Sequence, residues 1–356
     1  MSTLAASPAS LSWLALGVVL AAVFLAALVV RATGRSSRGS VRRRTAELLQ
    51  ALTGRLAGRV PVQALREAAR EIEAEQFWSA LEAITSTLRR RERLELARSL
   101  ARNRHVVAER RALRGDDAPA RRELAARRLA LLPSARLRPT LRRALVTGPE
   151  PVRLAAARGL ALLRDVPALG WICSHPSALA TRPLPAVSGL LRAFGPGART
   201  WLIAALDRGI AQPRFECAVL DALGISRCRS ARERIQSRLH SRERDVRVAA
   251  ARSLGRLGMG EAIPSLIPAL ADPAWPVRAQ AASALGRLRA APAADALAGC
   301  VTDPAWWVRH HAAYALASIG PEGRDLLCEL VLRSPDPFAR EMAREALDQA
   351  VSRETA

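Results

Sequence analysis

The chain has 356 residues, half of them apolar, so it can bury a core as one extended or two compact domains and is not disordered throughout. Only 4% of the residues are aromatic and β-branched residues are sparse, while alanine and leucine, both strong helix formers, dominate; this composition favours an all-α protein. The formal net charge is +23 and all 55 basic residues are arginine, a bias so complete that arginine abundance alone is no argument for phosphate recognition.

The basic charge is distributed unevenly. Residues 31–145 contain 28 arginines against 12 acidic residues, whereas residues 260–356 contain 9 arginines against 12 acidic residues. The positive charge is therefore concentrated towards the N-terminus, and the chain is electrically polarised along its length.

An apolar segment lies near the N-terminus. Residues 1–10 form a short tail, and residues 11–30, LSWLALGVVLAAVFLAALVV, contain no charge. A helix of this length would be about 30 Å long, which matches the hydrocarbon core of a bilayer. A cleaved signal peptide needs a basic stretch before the apolar run, and the tail has none. We therefore predict a retained transmembrane helix over residues 11–30.

Residues 31–44 are predicted to be a basic juxtamembrane linker. Its six arginines are Arg31, Arg35, Arg38, Arg42, Arg43 and Arg44. By the positive-inside rule we expect a single-pass protein of the bacterial inner membrane, with its N-terminus outside and the rest of the chain in the cytoplasm. The same arginines would also be attracted to anionic lipid, by about 1 kcal/mol each near the surface.

Residues 45–117 are helical in character but irregular. Four helices are predicted, from the stretches AELLQALTGRLAG, PVQALREAAREIEA, FWSALEAITSTL and RLELARSLARNRHVVAERRAL. One interpretation is a set of degenerate repeats that cap a regular array. The run from Gly115 to Pro119 predicts a break before that array.

From residue 118 to residue 356 the sequence repeats with a period of 31. The heptads DPAWPVR (272–278) and DPAWWVR (303–309) show it most directly. Arginines recur at this interval at Arg247, Arg278, Arg309 and Arg340. Each is followed seven residues later by a leucine, at Leu254, Leu285, Leu316 and Leu347. We predict at least eight such units.

Each unit contains two helical stretches, exemplified by AIPSLIPALA (262–271) and PVRAQAASALGRLR (276–289). Asp272 and Asp303 are placed to accept hydrogen bonds from free backbone N–H groups at the start of the next helix. A lone helical pair of this size cannot bury its apolar side. Neighbouring units are therefore expected to stack on one another.

The pattern D-P-x-x-x-V-R, followed by an alanine-rich helix and L-G-x-L-G, resembles the short HEAT-like repeat, a type also found in bilin lyase subunits. The segment DVRVAAARSLGRLG (245–258) is a very close match to it. The resemblance implies an α-solenoid of HEAT-like helical pairs, here preceded by the single transmembrane helix.

The resemblance also implies a polar ladder along the stack. It would pair Asp272 with Arg278 and Asp303 with Arg309. Serine replaces the aspartate in the units that start at Ser241 and Ser334, so the ladder is expected to lapse there.

Four large aromatic residues are candidates for a partner-binding surface: Trp275, Trp306, Trp307 and Phe338. Trp275 and Trp306 occupy equivalent positions, as do Trp307 and Phe338. One interpretation is that they pack over the neighbouring joint. The other is an aromatic strip that anchors a partner, because tryptophan is enriched among binding hot spots.

The sequence predicts no catalytic, cofactor-binding or metal-binding residues. His310 and His311 are adjacent and point about 100° apart on a helix, a poor arrangement for chelating one ion. The five cysteines form no CxxC pair and are interpreted as reduced thiols that fill apolar space. Whether folding assembles an active site stays open.

Three functions follow as hypotheses. The favoured one is a membrane-tethered cytoplasmic scaffold or adaptor that binds a protein partner, such as a membrane-associated enzyme or assembly complex. The second is binding of nucleic acid or another polyanion, which the lack of basic excess around the tryptophans disfavours. The third, a bilin-lyase-like enzyme subunit, is implied by the repeat resemblance alone, and a fold does not carry a function.

Overall fold

The computed structural model describes residues 38–115, 118–179 and 181–354. Within these ranges the chain consists of α-helices and short 3-10 turns, with no β-strand. It divides after Ala168 into two compact units, called here the N-terminal unit and the C-terminal unit. The prediction of an all-α fold made of repeated helical pairs is confirmed for the described residues.

The described part of the N-terminal unit contains eight complete helices. They are α1 (Arg38–Leu56), α2 (Val62–Ala68), α3 (Ala74–Thr85), α4 (Arg90–Leu100), α5 (Arg104–Arg114), α6 (Pro119–Leu131), α7 (Arg138–Thr147) and α8 (Glu150–Leu162), with a 3-10 turn at Ala135–Leu137. The next helix, α9 (Val166–Ser174), contains the boundary between the units.

Two features of the N-terminal unit differ from the prediction. Helix α1 begins at Arg38, so the second half of the predicted linker is helical. The stretch 93–113, predicted as a single helix, is divided between α4 and α5. The side-chain oxygen of Asn103 accepts a hydrogen bond of 2.9 Å from the backbone N–H of His105, and an N-cap of this kind starts a new helix.

The unit boundary also lies later than the predicted start of the regular array at residue 118. Helix α6 belongs to the N-terminal unit because Arg128 forms ion pairs with Glu75 and Glu109 of the preceding helices. Helix α7 is held there too, since Arg114 donates a hydrogen bond of 2.9 Å to Thr140. Residues 118–168 are therefore part of the N-terminal unit.

The described part of the C-terminal unit contains eleven helices after α9. They are α10 (Leu184–Ala193), α11 (Ala198–Arg208), α12 (Pro213–Ile225), α13 (Arg232–Ser237), α14 (Arg244–Leu257), α15 (Ile263–Leu266), α16 (Trp275–Arg287), α17 (Ala294–Cys300), α18 (Trp306–Ile319), α19 (Pro321–Arg333) and α20 (Pro337–Glu354). Six 3-10 turns complete it: Pro176–Leu179, Arg229–Ala231, Arg238–His240, Gly260–Ala262, Pro268–Ala271 and Ala291–Ala293.

The stretch 262–271 does not form one continuous helix, because a proline interrupts it. Helix α15 has only four residues and lies between two 3-10 turns. Pro268 lacks the N–H that a continuous helix over 262–271 would bond to the carbonyl of residue 264, so the helix is interrupted there.

The long helices of successive repeats lie side by side and run in the same direction. Arg278, near the start of α16, binds Asp303, just before the start of α18. Gly286, near the end of α16, contacts Ala315 in the later part of α18. The N-terminal ends of α16 and α18 therefore contact each other, and so do their C-terminal parts. The two helices are parallel neighbours within the C-terminal unit.

The repeated apolar positions form the core of this stack. Leu254, Leu285 and Leu316 have no exposed surface. Burying a leucine stabilises a fold by about 1.5–3 kcal/mol. Leu347, in the last helix, is half-buried because no further repeat covers it within the described residues.

Glycines bring these helices unusually close together. A Cβ at Gly255 would lie 2.8 Å from the Cα of Ala284, and a Cβ at Gly286 would lie 2.8 Å from the Cα of Ala315. Gly224 approaches the next helix in the same way. The three glycines are 31 residues apart, so the same close contact between neighbouring helices recurs in three successive repeats.

At intervals of about 31 residues, a residue with positive φ follows the end of a helix. These residues are Arg164 (51°), Gly195 (83°), Arg227 (48°), Gly258 (69°), Arg289 (49°) and Gly320 (120°). Gly258 ends α14 in the left-handed conformation, which glycine adopts without steric cost. At three of the six positions an arginine takes this conformation in place of glycine.

The predicted location of the chain is corrected. Among residues 38–115, 118–179 and 181–354, no helix has both the length and the apolar character required to cross a bilayer. The prediction of a single-pass protein of the bacterial inner membrane is therefore overturned. The tail 1–10 and the segment 11–30, on which that prediction depended, lie outside the described residues.

Candidate docking surface

Equivalent arginines fix the joint in four repeats of the C-terminal unit. Each donates an Nη1 hydrogen bond of 2.8–2.9 Å to the backbone carbonyl six residues earlier. The donors are Arg247, Arg278, Arg309 and Arg340, and the acceptors are Ser241, Asp272, Asp303 and Ser334. The bond ties the first turn of each long helix to the loop that precedes it.

Two of these arginines also bind the next repeat. Nε and Nη2 of Arg247 donate to the carboxylate of Asp272 at 2.7 and 2.9 Å, and Arg278 binds Asp303 with the same two distances. The resemblance had paired Asp272 with Arg278 and Asp303 with Arg309. The structure corrects this pairing, because each carboxylate binds the arginine of the preceding repeat.

The ladder stops at Arg309. The position that would hold its carboxylate is Ser334, one of the two serines that replace the repeated aspartate. The Nε of Arg309 and the Oγ of Ser334 are both buried without a hydrogen-bond partner. The guanidinium carbon of Arg309 lies instead 5.6 Å from the ring centre of Phe338, a cation–π contact.

Each aspartate also accepts a hydrogen bond from the backbone in the loop just before the next helix. Asp272 Oδ1 accepts a hydrogen bond of 2.8 Å from Ala274 N–H, and Asp303 Oδ1 does the same for Ala305. Burial raises the pKa of Asp272, but the hydrogen bonds from Arg247 and Ala274 and the nearby arginine charges outweigh it, so the pKa is lowered overall. The pKa of Asp303 is lowered through the same balance of effects. Both carboxylates are therefore held in the charged form.

The four candidate aromatic side chains are exposed. The exposed fraction is 46% for Trp275, 46% for Trp306, 51% for Trp307 and 62% for Phe338. All four lie in the first two residues of α16, α18 or α20. Because those helices are neighbours in a parallel stack, the four residues lie along one edge of the C-terminal unit, and we call them the aromatic strip.

A column of rings extends the aromatic strip along α18. Trp306 meets Trp307 edge-on at 4.7 Å and stacks on His310 at 4.9 Å between ring centres. His310 in turn lies 4.3 Å from Tyr314. This column was not predicted from the sequence, because His310 was considered only as a possible metal ligand. The spacing of four residues from 306 to 310 to 314 could have revealed it, since such residues share one helix face.

His311 is the other histidine beside the strip, with its ring centre 6.2 Å from that of Trp307. Burial lowers its pKa, and the charges of His310 and Arg287 lower it further. His311 therefore favours the uncharged form at neutral pH.

Four of the six arginines predicted to lie beside a membrane belong to helix α1. Arg31 and Arg35 lie outside the described residues, and Arg38 is the first residue of α1. Arg42, Arg43 and Arg44 lie on α1. Arg43 pairs with Glu47 at 2.8 Å, and Arg44 donates to the carbonyl of Glu71 at 3.1 Å.

In the part of the chain that the structure describes, no group of three or more His, Cys, Asp or Glu side chains could hold a metal ion. Burial raises the pKa of the Cys173 and Cys300 thiols to about 11 and that of Cys217 to about 12. These thiols stay protonated, and such buried cysteines are inert.

Comparison with known proteins identifies the repeat. Residues 200–286 and 263–348 each match the family model for HEAT repeats. The C-terminal unit is therefore an all-α solenoid that contains HEAT repeats, and the aromatic strip lies within the matched range. A comparison with curated proteins finds no match.

Several solved structures are similar to the chain. An engineered protein is 19% identical, with 92% of this chain and 98% of that protein covered and a TM-score of 0.37. Human deoxyhypusine hydroxylase in complex with glycerol is 18% identical, with 89% and 100% covered and a TM-score of 0.31. Kap121p bound to RanGTP is 14% identical, with 87% and 41% covered and a TM-score of 0.47.

Proposed function

We propose that this chain is a HEAT-repeat scaffold that binds a protein partner through the aromatic strip. The observation that carries the proposal is the exposure of Trp275, Trp306, Trp307 and Phe338 at corresponding places in three successive repeats. About half of the surface of each tryptophan side chain is available to a partner. Exposed aromatic residues of this size, grouped along one edge, mark interaction sites rather than ordinary surface.

The surrounding contacts support a rigid site. The ion pair between Arg278 and Asp303 and the close approach of Gly286 to Ala315 fix the spacing of α16 and α18. The tryptophans at the starts of these helices are thereby held at a constant separation. A partner that matches this separation would bind without a large loss of side-chain and backbone freedom.

The test is a quantitative capture experiment with the full chain as bait. A partner should be recovered from an extract of the native cells by the unmodified chain and lost with the Trp306→Ala/Trp307→Ala variant. Leu332→Ala is the matched control, because Leu332 is an exposed apolar side chain outside the strip. The captured protein is then purified and its affinity measured by calorimetry.

A hot-spot tryptophan contributes about 2 kcal/mol or more, which corresponds to about thirtyfold in affinity. We expect at least this loss for the double variant and an unchanged affinity for Leu332→Ala. The proposal fails if every captured protein binds all three chains equally. The bilin-lyase-like alternative depends on the repeat resemblance alone, and a repeat fold does not determine a function.

A further inference from the structure

A second surface, in the N-terminal unit, is unrelated to the aromatic strip. Two adjoining cavities of about 630 and 620 Å³ share Arg66, Leu94 and Arg98 in their walls. Together they form one groove lined by α2, α4 and the loop before α7, which we call the arginine groove. Each cavity is within the usual size of a ligand-binding site, about 300–1,000 Å³.

The groove is strongly basic. Eight arginines line it, against a single acidic residue, Glu95, and that carboxylate is already paired with Arg55 at 2.8 Å. Among the described residues, six lining arginines have no carboxylate within 4 Å: Arg66, Arg90, Arg91, Arg98, Arg102 and Arg136. Their positive charges are therefore left uncompensated by the protein itself.

Backbone carbonyls hold some of these side chains in place. Arg66 Nε donates to the carbonyl of Ser99 at 3.0 Å, and Arg90 Nε donates to the carbonyl of Leu162 at 2.7 Å. A carbonyl fixes a guanidinium group without neutralising it. The terminal nitrogens of both arginines keep their capacity to bind an anion, and a fixed guanidinium fork suits a carboxylate.

The crowding of like charges also favours an anionic occupant. Burial lowers the pKa of Arg90, and the charges of Arg164 and Arg138 lower it further. Arg138 is partly compensated, with its Nε 3.6 Å from Asp165. Repulsion between the other guanidinium groups would be relieved when an anion binds among them.

The remaining walls indicate which anion fits. They are aliphatic, with Val62, Leu94, Ala101 and Pro133 between the arginines, and they contain no aromatic ring. Sites for single-stranded nucleic acid combine basic residues with rings on which the bases stack. Aliphatic patches between arginines are suited instead to a polypeptide with alternating acidic and apolar side chains.

We propose that the arginine groove binds an acidic segment of a protein. Its glutamate or aspartate carboxylates pair with the guanidinium groups, and its apolar side chains lie on Val62 and Leu94. The site is independent of the aromatic strip, so the chain carries two separate places for partners.

The test measures binding of a fluorescently labelled peptide of alternating glutamate and leucine to the full chain by anisotropy. Arg98→Gln/Arg102→Gln removes two exposed arginines of the groove. Arg111→Gln/Arg143→Gln is the matched control, since it removes two exposed arginines of the same unit that do not line the groove. Circular dichroism verifies that both variants fold.

We expect the groove variant to bind the peptide about tenfold more weakly, because two charge-assisted contacts are lost, and the control to bind as the unmodified chain does. The Trp306→Ala/Trp307→Ala variant should also bind normally, which separates this proposal from the proposed function. An equal loss in both arginine variants would show non-specific attraction and overturn the proposal. So would absence of binding, or tighter binding of a single-stranded oligonucleotide of equal charge.

Discussion

Arg278 binds the carboxylate of Asp303, 25 residues further along the chain, through two hydrogen bonds of 2.7 and 2.9 Å. The same guanidinium group donates a third bond, of 2.8 Å, to the backbone carbonyl of Asp272 in its own repeat. Arg278 therefore joins three points of the stack. The three hydrogen bonds therefore fix the position of one repeat relative to the next.

Removing the carboxylate should weaken the C-terminal unit. The Asp303→Ala substitution leaves the largely buried guanidinium of Arg278 without its charged partner, so we expect the free energy of unfolding to fall by about 2–3 kcal/mol. Urea denaturation followed by circular dichroism measures the change. Asp348→Ala is the control, since Asp348 is exposed, and its effect should stay within about 0.5 kcal/mol. Equal effects from the two substitutions would contradict the structural role of the ion pair.

Completing the ladder should stabilise the chain. Ser334 has φ −63° and ψ 131°, close to the −59° and 139° of Asp272, so an aspartate there can adopt the same geometry. Ser334→Asp would supply a carboxylate to the unpartnered Nε of Arg309, and we expect a gain of about 1 kcal/mol in the free energy of unfolding.

The control for this gain is Ser334→Asn, which has nearly the same shape without the charge. Its gain should be clearly smaller in the same urea titration. If the asparagine variant is as stable as the aspartate variant, the ion pair is not the cause.

The ladder should also make stability depend on pH in acid. The pKa values of Asp272 and Asp303 are lower in the folded state than in the unfolded chain, where the ordinary value is about 3.9. Their contribution is therefore complete above about pH 4 and is lost as the pH falls through the lower folded-state values.

This dependence is measured as a difference between two proteins. The stability gap between the unmodified chain and Asp272→Asn/Asp303→Asn should be constant from neutral pH to about pH 5 and should narrow towards about pH 3. A gap that does not change over this range would show that the two carboxylates do not titrate with folding.

The glycine contacts predict a different kind of destabilisation. In Gly255→Ala the new methyl group would lie 2.8 Å from Ala284, so α14 and α16 must separate, at a cost of about 1–3 kcal/mol. Gly189, inside α10, has no neighbour within 4 Å of an added Cβ. Gly189→Ala should therefore stabilise the chain by about 0.5–1 kcal/mol. Thermal unfolding of the two variants should show shifts of opposite sign.

The sequence predicted the C-terminal unit well because its residues repeat at equal intervals. The arginines from Arg247 to Arg340 and the buried leucines each mark one position of a helix that is formed again in the next unit. The close helix contacts at Gly224, Gly255 and Gly286 also recur at 31 residues, and this interval could have been detected without a structure.

Other features were not accessible from patterns. The ladder pairs residues 25 apart, and only the packing of one repeat against the next selects that partner over the residue six positions away. Arg227 and Arg289 end helices with positive φ, a conformation that sequence rules assign to glycine. The arginine groove is formed by helices of the irregular region together with the loop before α7, so the uneven charge distribution indicated an excess of basic residues in this part of the chain but not the groove itself.

The regular offset of these contacts has a consequence for the length of the chain. If residues 259–289 were deleted, Gly258 would connect to Ala290, Arg247 would face Asp303, and Gly255 would meet Ala315. Every contact across the new joint would be of a kind already present. Gain or loss of one whole repeat should therefore be compatible with folding. Each such change would lengthen or shorten the exposed surface of the stack by one repeat.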